Sequence, residues 1–288
     1  IDFCPEIVYT DITSRKKGVE CVIAGLQKMT LLDYPGKVAC TVFLMGCNFR
    51  CPYCHNPGLV LPRQTENGIP EKELLEFLAS RKGKLDGVCI TGGEPTLQSD
   101  LPELIRSIRK LGFSVKLDSN GTAPEMLRLL LQENLLDYVA MDIKNSPSRY
   151  AETCGADGTG KVRESAALLL NGKTDFEFRT TVCHPFHTPE EMREIGRWLR
   201  GAEKYYIQPF VDSGRLLGKG VSALTEAELN ALLGAVLPYI PAFRFTTLLS
   251  YPSEDTTSRV SPLSFWRLKA PSSSVIAPIV EFSNMTDT

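Results

Sequence analysis

The sequence has almost no net charge, no long apolar run and few histidines. Its 32 basic and 34 acidic residues leave a formal charge of −2, which gives no electrostatic reason to expect binding to nucleic acid or to a membrane surface. No apolar run approaches the roughly 18–20 residues that span a bilayer, and no signal-peptide pattern opens the chain. With 288 residues, 43% of them hydrophobic, we expect a cytoplasmic globular protein with a substantial core.

The cysteines do not follow the pattern of a disulfide-stabilised protein. Their number, nine, is odd, and the chain is far larger than the small secreted scaffolds that depend on disulfides. Cys40, Cys89 and Cys183 lie in apolar, strand-like stretches and are predicted to be small core residues. The sequence assigns no function to the cysteines at positions 4, 21 and 154.

Short apolar segments alternate with amphipathic segments from about residue 38 onward. Six strand-like segments begin near residues 38, 86, 113, 137, 175 and 204, and helical patterns separate them. Such alternation is typical of a parallel sheet with helices outside it. About six βα units predict an α/β fold of the partial (β/α) barrel type, since a complete barrel of eight units needs about 250 residues. A flat doubly wound sheet is the alternative.

Three regions are predicted along the chain. Residues 21–249 form the barrel domain, which ends with a helix over 225–240 and a strand over 242–249. Residues 1–20 precede the repeating pattern and are interpreted as an N-terminal extension. Residues 250–288 are rich in Ser, Thr and Pro and lose the periodicity, so we expect a loosely ordered tail.

Polar residues collect where the predicted strands end. The carboxyl ends of barrel strands form the active face of this architecture. We therefore expect these polar stretches to converge on one site. They are GCNFRC, TGGEP, LDSNG, MDIKN, VCHPF and IQPF.

Three cysteines, Cys47, Cys51 and Cys54, fall within eight consecutive positions. A structural zinc site needs further ligands, and His55 adjoins Cys54 too closely to serve. The substring CPYCH matches a haem-attachment pattern, but that interpretation leaves out Cys47 and requires export, and a redox Cys-x-x-Cys pair also leaves out Cys47. A 4Fe–4S cluster uses all three thiolates and keeps its fourth iron open for a substrate or cofactor.

The spacing C-x3-C-x2-C, with the aromatic Tyr53 before the last cysteine, resembles the signature of radical S-adenosylmethionine (radical SAM) enzymes. Residues 25–60, GLQKMTLLDYPGKVACTVFLMGCNFRCPYCHNPGLV, resemble in particular the activating proteins of anaerobic ribonucleoside-triphosphate reductase. The similarity extends to about residue 247. It implies a partial barrel whose cluster loop follows the first barrel strand, in agreement with the repeating pattern.

The resemblance implies a set of ligands and cofactor contacts. Cys47, Cys51 and Cys54 would bind a 4Fe–4S cluster whose open iron chelates S-adenosylmethionine. No side chain is expected to act as a catalytic acid, base or nucleophile. The implied contacts to S-adenosylmethionine are Tyr53, Gly92, Gly93, Glu94, Asp118, Asn120, Asp142, Lys144 and Arg179.

These contacts have separate expected roles. Tyr53 would approach the adenine, while the two glycines let the backbone come close to the ligand and Glu94 could hold its ammonium group. The two aspartates could accept hydrogen bonds from hydroxyl groups or balance the sulfonium, and Lys144 could pair with the carboxylate. Arg179 could reach the same carboxylate or balance an acidic neighbour. Related formate-lyase activases have a histidine where this chain has Val211, and that contact is left unassigned.

The activity that the resemblance implies is one-electron cleavage of S-adenosylmethionine, followed by removal of a hydrogen atom from a glycine of the anaerobic reductase. A low-potential donor such as flavodoxin or ferredoxin would supply the electron. Two alternatives within the superfamily are a formate-lyase-type activase and an enzyme that acts on a small molecule. A non-catalytic zinc-binding module is the alternative from a different class.

Overall fold

The computed structural model describes residues 21–60, 68–212, 214–240 and 244–245. The predicted extension over 1–20 and the predicted tail over 250–288 lie outside these residues, so the division of the chain into three regions stays a prediction. The strands are β1 (Ile23–Thr30), β2 (Ala39–Leu44), β3 (Gly87–Gly92), β4 (Ser114–Ser119), β5 (Tyr138–Asp142), β6 (Asp175–Val182), β7 (Tyr205–Pro209) and β8 (Arg244–Phe245).

The strands form one sheet in the order in which they occur along the chain, from β1 to β8. β1 is antiparallel to β2, and every later neighbour is parallel, as expected when helices connect successive strands. β1 and β8 are at opposite ends of this order, so the described part of the sheet is open. The predicted partial (β/α) barrel is confirmed.

Helices separate the parallel strands. Proline opens several of them at the first turn, where its missing N–H costs nothing. Thr188 and Glu191 form a capping box at the start of α7, which satisfies orphan N–H groups there. The helices are α1 (Pro57–Val60), α2 (Glu71–Ser80), α3 (Leu101–Lys110), α4 (Pro124–Gln132), α5 (Tyr150–Cys154), α6 (Thr159–Leu170), α7 (Pro189–Trp198) and α8 (Glu226–Val236).

The central strands are buried almost throughout, which explains why they are nearly all apolar in sequence. Cys40, Cys89 and Cys183 have no exposed surface, so their predicted place in the core is confirmed. Register brings Leu44 of β2 beside Gly92 of β3, and the loops that follow these strands therefore start side by side. In the described part of the chain, no helix is long and apolar enough to cross a membrane.

Candidate functional site

A cavity lies at the carboxyl ends of β2 to β6. All the site residues predicted from the sequence line it except Arg179, which lies behind two of them. Four of the six polar strand-end stretches therefore converge as expected. The other two reach the site only indirectly: the ring of Phe186 packs 6.0 Å from that of Tyr53, and the ring of Phe210 lies 5.5 Å from that of His55.

The loop after β2 brings Cys47, Cys51 and Cys54 to the cavity. The Phe49 N–H donates to Cys47 Sγ over 3.4 Å, and the backbone of Asn56 favours the thiolate form of Cys54. Such N–H donors suit sulfur atoms that carry negative charge. Among the described residues, no three histidine, cysteine or acidic side chains are grouped to hold a single metal ion.

The three thiols have different electrostatic surroundings. Burial raises the pKa of Cys47 to about 12 and also raises that of Cys54. The pKa of Cys51 is lowered by its interaction with the buried thiol of Cys154, although burial acts in the opposite direction. The positive charge of Lys144 favours the thiolate form at all three positions. Binding of a metal would thus displace protons from buried thiols near a cation.

Gly92 and Gly93 fix the cysteine loop against the end of β3. A Cβ atom on Gly93 would lie 2.1 Å from the carbonyl oxygen of Gly46, and one on Gly92 would lie 2.2 Å from that of Leu44. Gly92 also has φ = 125°, which side chains disfavour. In this close contact the Glu94 N–H donates to the Gly46 carbonyl over 2.7 Å. The two glycines are therefore needed for packing of the loop itself.

Glu94 is fully buried and connects β3 to the end of β4. Its Oε1 accepts hydrogen bonds from the N–H and hydroxyl groups of Thr96 and from the hydroxyl of Ser119. Its Oε2 accepts from the Asn120 N–H over 2.5 Å. Burial raises the pKa of Glu94, and these donors oppose that effect. The Glu94 carboxylate thus holds the ends of β3 and β4 together, a structural role in addition to the ligand contact expected from the sequence.

A network of charged side chains forms the floor of the cavity. Arg179 Nε donates to Asp142 Oδ1 over 3.0 Å, and its Nη2 lies 3.3 Å from Asp118 Oδ2. Lys144 Nζ lies 2.9 Å from Asp142, and Lys116 pairs with Asp118. These cations hold the pKa of both aspartates below the usual range despite burial.

Tyr53 and His187 both hold the backbone of Lys144. The Tyr53 hydroxyl donates to the Lys144 carbonyl over 3.3 Å, and His187 Nε2 lies 2.9 Å from the same oxygen. His187 Nδ1 accepts from the Cys183 N–H over 3.2 Å, which places the ring proton on Nε2. Burial lowers the pKa of His187 and keeps the ring neutral. Tyr53 therefore presents its ring, and not a free hydroxyl, to the cavity.

Asn120 connects β4 to the cysteine loop. Its Nδ2 lies 3.0 Å from Asn48 Oδ1 and 3.9 Å from Cys47 Sγ. The Thr122 N–H and hydroxyl both donate to Asn120 Oδ1, so the amide orientation is fixed. This side chain is positioned toward the cysteines as well as toward the cavity.

Sequence reasoning missed four residues around the site. Lys116 could have been found, since a lysine inside an apolar strand needs a buried partner. His187 and Cys154 carry no signal in the sequence, because their contacts come from segments distant along the chain. His55 lines the cavity beside the ring of Phe210, and its Nε2 atom is buried without a partner in the described residues.

Comparison with known proteins gives a family and a fold. A family model described as the radical SAM superfamily matches residues 41–199. The chain is 34% identical over 201 residues to a predicted glycyl-radical enzyme activating enzyme of Methanocaldococcus jannaschii, a match that covers 67% of this chain and 81% of the relative. It is also 33% identical over 137 residues to a predicted GTP 3′,8-cyclase of Thermococcus kodakarensis, which covers 47% of this chain and 44% of the cyclase.

A solved structure with the same fold is that of Streptococcus suis SuiB bound to S-adenosylmethionine. The TM-score is 0.56 at 18% identity, and the superposition covers 70% of this chain and 48% of SuiB. At this identity the likeness concerns the fold alone. It agrees with the open sheet of parallel strands described above.

Proposed function

The chain belongs to the radical SAM superfamily, and we propose that it activates a glycyl-radical enzyme, the anaerobic ribonucleoside-triphosphate reductase. Membership implies a 4Fe–4S cluster and S-adenosylmethionine as cofactors. The observation that carries the proposal is the 34% identity to a predicted activating enzyme over four fifths of that relative's length. The choice of the reductase as partner rests on the resemblance of residues 25–60.

Cys47, Cys51 and Cys54 would hold the cluster. Their fit to it is supported by three features of the cavity: thiols on one loop, N–H donors to sulfur, and a nearby ammonium group. When bound, the cluster and S-adenosylmethionine supply the one-electron reductive cleavage that makes hydrogen abstraction from a glycine feasible. No side chain of the protein has to act as acid, base or nucleophile.

The side chains on the cavity floor would bind and orient S-adenosylmethionine. Asp142 and Lys144 form a pair of opposite charges that is partly exposed to the cavity, which suits the ammonium and carboxylate groups of an amino acid. Tyr53 presents an aromatic ring for contact with adenine. Asp118 and Asn120 carry the polar atoms that hydroxyl groups of a ribose would contact.

The other residues predicted to contact the cofactor would act indirectly, through their contacts inside the protein. Gly92 and Gly93 let the cysteine loop and the end of β3 approach each other, and Glu94 holds β3 against β4. Arg179 would keep the two aspartates charged and fixed. These residues set the shape of the cavity.

A protein partner and an electron donor complete the proposed reaction. A glycine loop of the reductase would enter at the open carboxyl ends of the strands, and a flavodoxin or ferredoxin of the cytoplasm would reduce the cluster. The similarity to a GTP cyclase favours one rival, an enzyme that acts on a small molecule. A formate-lyase-type activase is the rival that shares the chemistry and differs in partner.

The test is anaerobic incubation of the reconstituted protein with S-adenosylmethionine, dithionite and each candidate partner. A glycyl doublet in the electron paramagnetic resonance spectrum, seen with the reductase and absent with formate lyase, is the expected result. Cys51→Ala should bind no cluster and give no cleavage. A doublet only with another partner, or cleavage only with GTP present, would overturn the assignment.

A further inference from the structure

Side chains hold the main chain of Lys144 beyond the end of β5, which ends at Asp142. The Lys144 N–H donates to the hydroxyl of Tyr150 over 3.1 Å. The Lys144 carbonyl accepts from the hydroxyl of Tyr53 over 3.3 Å and lies closer, at 2.9 Å, to His187 Nε2. All three partners are buried, so water competes little for these hydrogen bonds. The main chain of this residue is therefore fixed on both sides.

The imidazole ring of His187 connects this position to the end of β6. A carbonyl oxygen can only accept, so the ring proton is on Nε2 and is donated to the Lys144 carbonyl. Nδ1 then accepts from the N–H of Cys183, the residue that follows β6, over 3.2 Å. Both ring nitrogens thus have a partner, and His187 is only 2% exposed. The ring fixes the Lys144 main chain relative to β6.

The ammonium group of Lys144 extends from this fixed main chain to the cavity. The side chain lines the cavity, is 21% exposed and lies 2.9 Å from Asp142. Its stem is flexible, so the position of the main chain limits where the charge can be placed. A shift of the main chain would lengthen a hydrogen bond from the ammonium group to a bound carboxylate, and hydrogen bonds weaken as their geometry departs from the optimum.

We propose that His187 is a positioning residue, which holds the main chain of Lys144 so that the lysine ammonium group meets the carboxylate of S-adenosylmethionine. The inference rests on the proposed function, because it needs S-adenosylmethionine in the cavity with its carboxylate on Lys144. In the described part of the chain the histidine lies behind the cavity wall and contacts Tyr53 and Lys144, which line it. It would therefore act on the cofactor through the lysine.

Two substitutions separate the two hydrogen bonds of the ring. His187→Gln has an amide nitrogen near the position of Nε2 and can still donate to the Lys144 carbonyl. His187→Asn is one carbon shorter, so its amide can accept from the Cys183 N–H but does not reach Lys144. His184→Asn is the matched control, because the side chain of this nearby histidine is 43% exposed and pairs with Glu228. Lys144→Met shows the effect of losing the ammonium group itself.

The measurement is the carboxylate preference, defined as the ratio of the affinities for S-adenosylmethionine and for its decarboxylated form. Each full-length protein is reconstituted without oxygen, and its iron content and urea midpoint are determined first. Binding of the two ligands is then measured by equilibrium dialysis with the cluster oxidised, so that no cleavage takes place. A general loss of structure would weaken both ligands, whereas displacement of Lys144 would weaken only the one with a carboxylate.

The wild type and His184→Asn are expected to prefer the ligand with the carboxylate, and Lys144→Met should lose that preference. His187→Asn should keep its iron and lower the preference about tenfold, the effect expected when a hydrogen bond between charged groups is lost. His187→Gln should stay within about twofold of the wild type, since it still donates to Lys144. If the asparagine variant does not fold, His187→Met replaces it, because methionine fills the space of the ring and donates no hydrogen bond.

Two results would overturn the inference. One is an unchanged carboxylate preference in folded His187→Asn or His187→Met. The other is an equal loss of preference in the glutamine and asparagine variants, because the effect would then not depend on the donor to Lys144. Failure of the proposed function is a separate outcome: the wild type itself would then bind no S-adenosylmethionine, or Lys144→Met would keep the preference of the wild type.

Discussion

Replacement of Gly93 by alanine tests whether the glycine pair is required by the cysteine loop. The added Cβ would lie 2.1 Å from the carbonyl oxygen of Gly46, whereas ordinary contacts begin at 3.4 Å, so the two backbones must separate by about 1.3 Å. That movement breaks the hydrogen bond of 2.7 Å from the Glu94 N–H to Gly46. A lost buried backbone pair of this kind costs about 2–4 kcal/mol, since both groups are left unsatisfied.

The assay is urea unfolding of the cluster-free protein under reducing conditions. A loss of about 2–4 kcal/mol should lower the urea midpoint by about 1 M or more. Iron bound after reconstitution should also fall, because Gly46 precedes the first cysteine of the loop. Gly234→Ala is the matched control: this glycine is in α8 with open space around it, so alanine there should stabilise the protein by about 0.5–1 kcal/mol. Equal midpoints and equal iron in Gly93→Ala and the wild type would refute the reasoning.

Three further experiments test the charged floor of the cavity and the ring of Tyr53. Arg179→Met should lower the free energy of unfolding by about 1.5–3 kcal/mol, because it removes the cation that bridges the two aspartates while Lys116 and Lys144 stay paired with them. Arg106→Met at the surface should leave the urea midpoint unchanged. Asp118 and Asp142 have lowered pKa values in the folded protein, so the stability that their charged forms contribute is present above about pH 4 and is lost as the pH falls further. The free energy of unfolding, measured from about pH 6 to about pH 3, should show this loss. The loss should be smaller in Asp142→Asn. Tyr53→Phe should change the free energy of unfolding by less than about 1.5 kcal/mol, because it removes one hydrogen bond. It should keep the affinity for S-adenosylmethionine measured by equilibrium dialysis. A loss of affinity equal to that of Tyr53→Ala would show that the hydroxyl matters more than the ring.

The fold could be predicted because each strand is indicated by a pattern within its own short stretch of sequence. Each strand is a short apolar run bounded by a polar strand end, and this pattern is read without knowledge of any distant contact. The antiparallel β1 was not predicted, because most of its residues are half-buried or exposed and it lacks the apolar run of the other strands, although Pro35 and Gly36 mark the turn that follows it. The open sheet could be inferred from the number of units alone.

The sequence indicated which residues line the candidate site, but not the contacts that these residues make with one another. Cys47, Asp142 and Lys144 stand at strand ends, where topology alone brings them together. The hydrogen bonds of Glu94 could not be foreseen, because its partners lie on a different strand end and inside a tight turn. The same holds for His187, which reaches the site from the loop before α7.

The charged side chains of the cavity floor differ in exposure, and this difference affects how a zwitterionic ligand could bind. The side chain of Lys116 is only 1% exposed, whereas those of Lys144 and Asp142 are 21% and 30% exposed. A ligand with an ammonium and a carboxylate group can therefore exchange partners with the Asp142–Lys144 pair without disturbing the deeper pairs. Asp142 would stay charged during that exchange, because Arg179 holds its other oxygen at 3.0 Å. On the proposed function, the arginine acts on the cofactor through the aspartate, and its loss should weaken binding of S-adenosylmethionine even though it does not line the cavity.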